Sequence, residues 1–360
     1  MSTITPPFYW RLLDKDVVPD WLIRIGIRHF IGQRLRQQHT DSPWEARAKI
    51  VSLVEELRRS PIALSTNEAN EQHYEVPSRF YEFVLGARRK YSCAYWPAGV
   101  NTLDEAETAM LALTVERACV NDGDEIMDLG CGWGALSLYL AERFPNSRIL
   151  GVSNSRTQRE FIVGEIARRG LQNLEIVTAN IVTFQTDRRF DRILSVEMFE
   201  HMRNYDLLLG KISNWMKAEA KLFVHIFTHR RFAYPFAVED SSDWMSAYFF
   251  TNGLMPSDDL LLYFQKQVQC SGHWLMSGVH YQRTAKAWRE KADRNREAVL
   301  VEFRNAYGEQ ALTMFVRWRV FFMAVEELWG WGAGKEWTVS HYVFERNADG
   351  KSLRSSADLP

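Results

Sequence analysis

Two acids and a histidine close an apolar run in Ser195-Val196-Glu197-Met198-Phe199-Glu200-His201-Met202. A carboxylate next to an imidazole can raise its basicity and aim it at a proton, so Glu197, Glu200 and His201 have the makings of an acid–base group. Their plainer use would be to cap a helix or bind backbone amides. Position favours chemistry, because the trio stands at the carboxyl end of a strand-like run, where open α/β sheets collect their ligands.

A second cluster is Ile126-Met127-Asp128-Leu129-Gly130-Cys131-Gly132-Trp133-Gly134-Ala135, followed at helical spacing by Leu136, Leu138, Tyr139, Leu140 and Phe144. This reads as strand, tight turn and helix. The glycines admit a ligand close to the backbone, and the helix start offers unpaired N–H groups. Gly130, Gly132 and Ala135 satisfy a loose dinucleotide pattern, but two details oppose a dinucleotide. Asp128, just before the first glycine, would repel a pyrophosphate and attract a cation. The next strand-like run, Ile149 to Asn154, ends in an amide where an acid would be needed for the ribose. S-adenosylmethionine carries an ammonium and a sulfonium and no phosphate, so the charge pattern points to methyl transfer rather than hydride transfer.

The elements that must position these residues follow from periodicity. Strands are expected near 124–130, 148–153, 174–179, 190–197 and 221–228, with helices near 133–143, 155–169 and 204–217 between them. That alternation predicts a mainly parallel, doubly wound sheet. Upstream, residues 8 to about 60 read as helices, with Ser42 before Pro43 as an N-cap with proline at N1. There Trp21, Leu22, Ile25, Phe30 and Ile31 form an apolar stripe among Arg24, Arg28, Arg34 and Arg36. Such a stripe is expected to pack on the protein's own core and leave a solvated basic face. The competing use is peripheral contact with an anionic membrane. A polar linker begins at Ser65. The aromatic stretch 232–272 (Tyr234, Phe236, Trp244, Tyr248, Phe249, Phe250, Tyr263, Phe264) is an insertion after the fifth strand, suited to roofing a pocket. Helices near 283–306 and 309–329 and a closing strand from Glu336 to Arg346 complete the chain. The division is 1–72 helical region, 73–347 catalytic domain and 348–360 polar tail.

Composition narrows the class. A net charge of −1 over 360 residues gives no reason to expect nucleic-acid binding. Cys93, Cys119, Cys131 and Cys270 show neither pairing nor metal-ligand spacing, which suits a reducing cytoplasm and no metal. The first residues lack the basic and apolar regions of a signal peptide, and no apolar run is long enough to span a bilayer.

Taken together, residues 128–134, 152–158 and 197–202 resemble the cyclopropane-fatty-acid-synthase-like methyltransferases, and within them the coclaurine N-methyltransferase branch. The resemblance runs from about Tyr74 to Arg346. It implies a class I, Rossmann-like methyltransferase fold: a seven-stranded, mostly parallel sheet with one antiparallel strand. It also implies that S-adenosylmethionine contacts Tyr91, Ser92, Gly130 and Gly132 beside Asp128, with Asn154 and Gln158 at the ribose. Asn180 and Ile181 would flank the adenine, and Val196 would lie near the sulfur. At Asn180 this branch favours an acid. Glu197, Glu200 and His201 match the positions that bind and deprotonate an amine.

The resemblance leaves two acceptors open. The lipid cyclopropanating enzymes hold a bicarbonate with a cysteine, a glutamate, a histidine and a tyrosine. This chain has all four in Cys93, Glu197, His225 and Tyr281, though Phe322 stands nearest the family's C-terminal cysteine. The segment from Trp318 to Trp331 follows the N-methyltransferases instead. N-methylation of a small amine, with S-adenosylhomocysteine as product, is therefore the first reading. C-methylation or cyclopropanation of an unsaturated fatty acyl phospholipid is the second. A non-catalytic cofactor-binding scaffold would have no use for the Glu200-His201 pair. A homodimer is left open.

Overall fold

The computed structural model describes residues 8–64, 76–236, 244–249 and 253–347. The linker at Ser65, the expected boundary at 72–73, Tyr74, Phe250 and the tail 348–360 lie outside the described residues.

The central sheet is built from β1 (Glu125–Leu129), β2 (Arg148–Ser153), β3 (Leu174–Thr178), β4 (Phe190–Val196) and β5 (Met216–His229). A short ribbon follows, β6 (Tyr234–Pro235) with β7 (Leu254–Met255), and then β8 (Val268–Met276) and β9 (Trp337–Arg346). The seven-stranded sheet runs β3-β2-β1-β4-β5-β9-β8. β1 to β5 are parallel, and β9 is antiparallel to both of its neighbours. This is the class I methyltransferase topology.

The parallel strands are apolar on both sides because helices cover both faces. Ile126, Ile149, Leu194 and Phe223 pack with Leu111, Leu136, Leu140 and Ile162 from the helices Leu103–Arg117, Ala135–Arg143 and Arg156–Arg169. Their sequence neighbours Met127, Leu150, Ile193 and Val224 face the opposite way, onto Leu53, Leu57, Leu208 and Ile212 of Pro43–Arg59 and Tyr205–Ser213. A third core joins Phe80, Tyr81, Trp133, Phe227 and Phe249 to Trp288, Trp318 and Trp329 of the C-terminal helices.

Three local expectations are corrected. The helix expected over 204–217 ends at Ser213, because Met216 already pairs with Phe190 and begins β5. The run expected over 283–306 is two helices, Val279–Arg294 and Arg296–Tyr307. They meet at Asn295, whose side chain turns to donate to the Phe83 carbonyl at 2.8 Å. The apolar stripe of the Asp20–Gln38 helix is the third. Ile23 and Ile31 are buried, yet Trp21 is 64% exposed and Ile25 53%, with Leu22 and Phe30 also outside. Arg24 takes the inward side instead, while Arg28 and Arg36 stay exposed. Arg24 pairs with Glu326 at 2.8 Å and with Glu327, Arg28 pairs with Glu327 at 2.6 Å, and Asp20 meets Arg319 at 2.6 Å. Acids on the Ala311–Gly330 helix thus set the orientation of this helix. Among the described residues no helix is long and apolar enough to cross a membrane.

Candidate active site at the carboxyl edge of the sheet

β1 delivers its chain into a turn that only glycine fits. Gly130 has φ +87°, and a Cβ there would lie 2.9 Å from the Met198 side chain. Gly132 has φ +52° and opens onto space. The cleft so formed is lined by Lys90, Tyr91, Ser92, Asp128, Gln158, Val196 and Glu197, besides the glycines. Asp128 is buried and accepts from Ser137 Oγ at 2.6 Å, and burial lifts its carboxyl to about 6. Gln158 accepts from Ser153 Oγ at 2.7 Å through its carbonyl. Its Nε2, like Thr114 Oγ1 and Trp133 Nε1, is buried with no hydrogen-bond partner among the described residues, and all three residues line the cleft. Orphaned polar atoms beside two buried carboxylates suit a ligand rich in hydrogen-bonding groups and positive charge. S-adenosylmethionine is such a ligand.

Asn154, Asn180 and Ile181 are not among the residues lining the cleft. Asn154 is exposed just past β2. Beyond β3, Asn180 Oδ1 accepts the Val182 N–H at 2.9 Å, while Ile181 packs against the core below.

Glu197 is the hub. It follows β4 with φ +48°, in the left-handed region, its own N–H donating to the His225 carbonyl at 2.8 Å. Its Oε1 accepts from the Cys93 N–H at 2.9 Å and from His225 Nε2 at 3.1 Å, and its Oε2 accepts from the Tyr281 hydroxyl at 2.7 Å. The four residues of the bicarbonate set therefore converge, with three donors directed at the Glu197 carboxylate itself. Cys93 takes part through its backbone, since burial pushes its thiol well up. Burial raises the Glu197 carboxyl above its ordinary range, opposed by the Lys90 ammonium and by the hydrogen bonds from Cys93 and Tyr281; three donors on one carboxyl suit its anionic form.

Lys90 escapes a sequence reading. After Arg88 and Arg89 it looks like the end of a solvated basic run, yet it is buried and donates to Ser92 Oγ at 2.5 Å and to the Cys93 carbonyl at 2.6 Å.

Glu200 and His201 sit on the one-turn helix Phe199–His201. Burial, and next the charge of Glu197, push the Glu200 carboxyl well up, so Glu200 keeps its proton. Its Oε2 has no hydrogen-bond partner among the described residues. The expected gain in His201 basicity is reversed: burial lowers the imidazole to about 4 against a smaller upward pull from Glu197.

A doubly wound seven-stranded sheet with this cleft at its carboxyl edge defines a class I, S-adenosylmethionine-dependent methyltransferase. The chain belongs to the mycolic acid cyclopropane synthetase family, whose profile matches residues 63–327. It is 41% identical over 339 residues to (S)-coclaurine N-methyltransferase of Thalictrum flavum subsp. glaucum, covering 93% of this chain and 94% of that one. The (S)-coclaurine N-methyltransferase of Papaver somniferum is 36% identical, with coverage of 93% and 97%. Among solved structures, coclaurine N-methyltransferase bound to N-methylheliamine and SAH superposes with a TM-score of 0.91 at 38% identity, covering 94% of this chain and 99% of that one. The chain is therefore an enzyme that uses S-adenosylmethionine.

Proposed function

We propose that the enzyme methylates the nitrogen of a small cyclic or aromatic amine. One observation carries this reading: three donors converge on the buried carboxyl of Glu197 at the edge of the cofactor cleft, an arrangement that suits its anionic form. Such a group attracts an ammonium. S-adenosylmethionine supplies a methyl group on a sulfonium, which an amine lone pair can displace. Tyr91, Ser92, Asp128, Gly130, Gly132, Gln158 and Val196 would hold it, with Asn154, Asn180 and Ile181 at the rim. Glu197 would bind the protonated amine, and His201, neutral at physiological pH, has a lone pair for its proton. Glu200 stays neutral and adds no second charge. Trp329, whose ring lies 4.6 Å from that of Tyr281, would add a cation–π contact on the order of 1 kcal/mol.

Lipid cyclopropanation has less support, since the donors that would hold a bicarbonate are engaged by Glu197. The test supplies cyclic amines or vesicles of unsaturated phospholipid and follows S-adenosylhomocysteine release, with and without bicarbonate. Release with amines, unchanged when bicarbonate is stripped, is expected. Release with vesicles alone, lost on stripping, overturns the reading.

A reducing, cytoplasmic setting is supported by four free cysteines, two of them buried. Membrane docking through a basic face loses support, because Arg24 and Arg28 turn onto Glu326 and Glu327. The outward row Trp21, Leu22, Ile25 and Phe30 would instead serve a homodimer. Sedimentation of the wild type and Trp21→Glu tests that: an unchanged, monomeric pattern removes the dimer.

A further inference from the structure

A line of hydrogen bonds runs out of the site, away from the cleft. His225 and His341 are register partners across β5 and β9, both fully buried. His225 Nε2 lies 3.1 Å from Glu197 Oε1, and His225 Nδ1 lies 2.8 Å from His341 Nε2. His341 Nδ1 in turn lies 2.7 Å from Arg117 Nη1. Arg117 is the last residue of the Leu103–Arg117 helix, where the helix dipole favours a cation, and its guanidinium lies 4.8 Å from the Trp274 ring.

Only one placement of protons satisfies all three contacts. A guanidinium can donate but never accept, so His341 Nδ1 is the acceptor. A neutral His341 then carries its hydrogen on Nε2 and donates to His225 Nδ1. His225 in turn carries its hydrogen on Nε2 and donates to Glu197. A second proton on either ring would set donor against donor, and burial holds both rings neutral.

We infer that Arg117 and His341 are positioning residues of the reaction: through His225 they lock the proton pattern that keeps Glu197 an anionic acceptor for a cationic substrate. This rests on the amine reading above. Without the lock, His225 can move its hydrogen to Nδ1 and turn a bare Nε2 towards Glu197. Histidine and carboxyl then share a proton, and the ammonium loses its partner. Lys90, Glu200, His201 and Tyr281 also face Glu197 and remain in place in every variant below.

The test uses Arg117→Met and His341→Phe, with Arg117→Lys and His341→Gln as variants that keep donor and acceptor order. In the first pair, the KM for the amine should rise about tenfold or more, with a smaller change in kcat. The acid limb of kcat/KM should move to higher pH, and S-adenosylhomocysteine affinity should hold. The second pair should recover most of the loss. Nitrogen-15 imidazole shifts give a readout that needs no substrate: in the wild type both rings should be neutral with the hydrogen on Nε2, and Arg117→Met should lose that state. An Nδ1–H tautomer in the wild type overturns the lock, as do folded Arg117→Met and His341→Phe proteins with wild-type KM and pH profile. Correct tautomers in a protein that methylates no amine would leave the lock standing and remove the amine reading.

Discussion

Glu197 and Glu200 lie three residues apart and meet different surroundings. Three donors and a nearby ammonium favour the charged form of Glu197 against its burial, while burial and then the Glu197 charge push the Glu200 carboxyl well up. Two carboxyls pushed apart in this way can divide binding from neutrality in one small space. His201, beside them, is the group with a lone pair available at neutral pH. His201→Ala is therefore expected to slow amine turnover by about 10²–10⁴-fold. The affinity for S-adenosylhomocysteine, measured by calorimetry, should stay near wild type, because His201 is not among the residues lining the cofactor cleft. Wild-type turnover at neutral pH would remove it from the mechanism.

At the scale of elements, two joints decide how the site is held. The Ala135–Arg143 helix starts at Gly134, with φ +79°, where a Cβ would come within 2.8 Å of the Ile162 side chain. Gly134→Ala combines backbone strain with a clash and should cost at least about 1–2 kcal/mol, read as a lower thermal midpoint. An unchanged midpoint would mean that the turn can relax. The second joint is His229 at the end of β5, whose Nδ1 accepts the N–H groups of Arg231 at 3.0 Å and Phe232 at 2.8 Å. Burial, then Arg230 and Arg231, lower this imidazole to about 3. The folded value lies below the unfolded one near 6.5, so its contribution is complete above pH 6.5 and is lost as pH falls towards 3. His229→Asn keeps an acceptor that cannot be protonated there. Its urea midpoint should fall less steeply than that of the wild type between pH 6.5 and 4, and parallel curves would refute the role.

The sequence announced these elements unevenly, for physical reasons. The glycine turn and the Glu197–His201 segment are local patterns, legible because spacing alone carries them. The Asn295 break is invisible, since a long-range bond to the Phe83 carbonyl makes it. β8 alternates only weakly between buried and exposed residues and lies partly within the aromatic insertion, so its place in the sheet comes from β9. Lys90 and His341 gain their meaning from neighbours far away in the chain, and no residue adjacent to them signals it.

Across the whole molecule, the helices between Phe8 and Gln38 and the Ala311–Gly330 helix are stitched to the insertion. Arg34 lies over the Tyr234 ring at 5.4 Å, Trp10 packs on Tyr248 at 5.4 Å, and Arg317 reaches both Asp14 and the Tyr248 ring. The paired acids Glu326 and Glu327 anchor the Asp20–Gln38 helix. Removing both as alanines should raise amide hydrogen exchange in that helix while leaving exchange in β1 and β4 unchanged. Unaltered exchange in the helix would show that Ile23 and Ile31 suffice to hold it.

The sheet order has a consequence for how the protein is born. Among the described residues β9 is the last strand made, yet it lies between β5 and β8. Until the ribosome has released it, both of those strands have an unpaired edge of the kind that invites aggregation. His341 arrives on that same strand. A nascent chain can close its cofactor turn early, but His225 gains His341 only once β9 has paired with β5, so the last link of the proton pattern behind Glu197 waits on completion of the sheet.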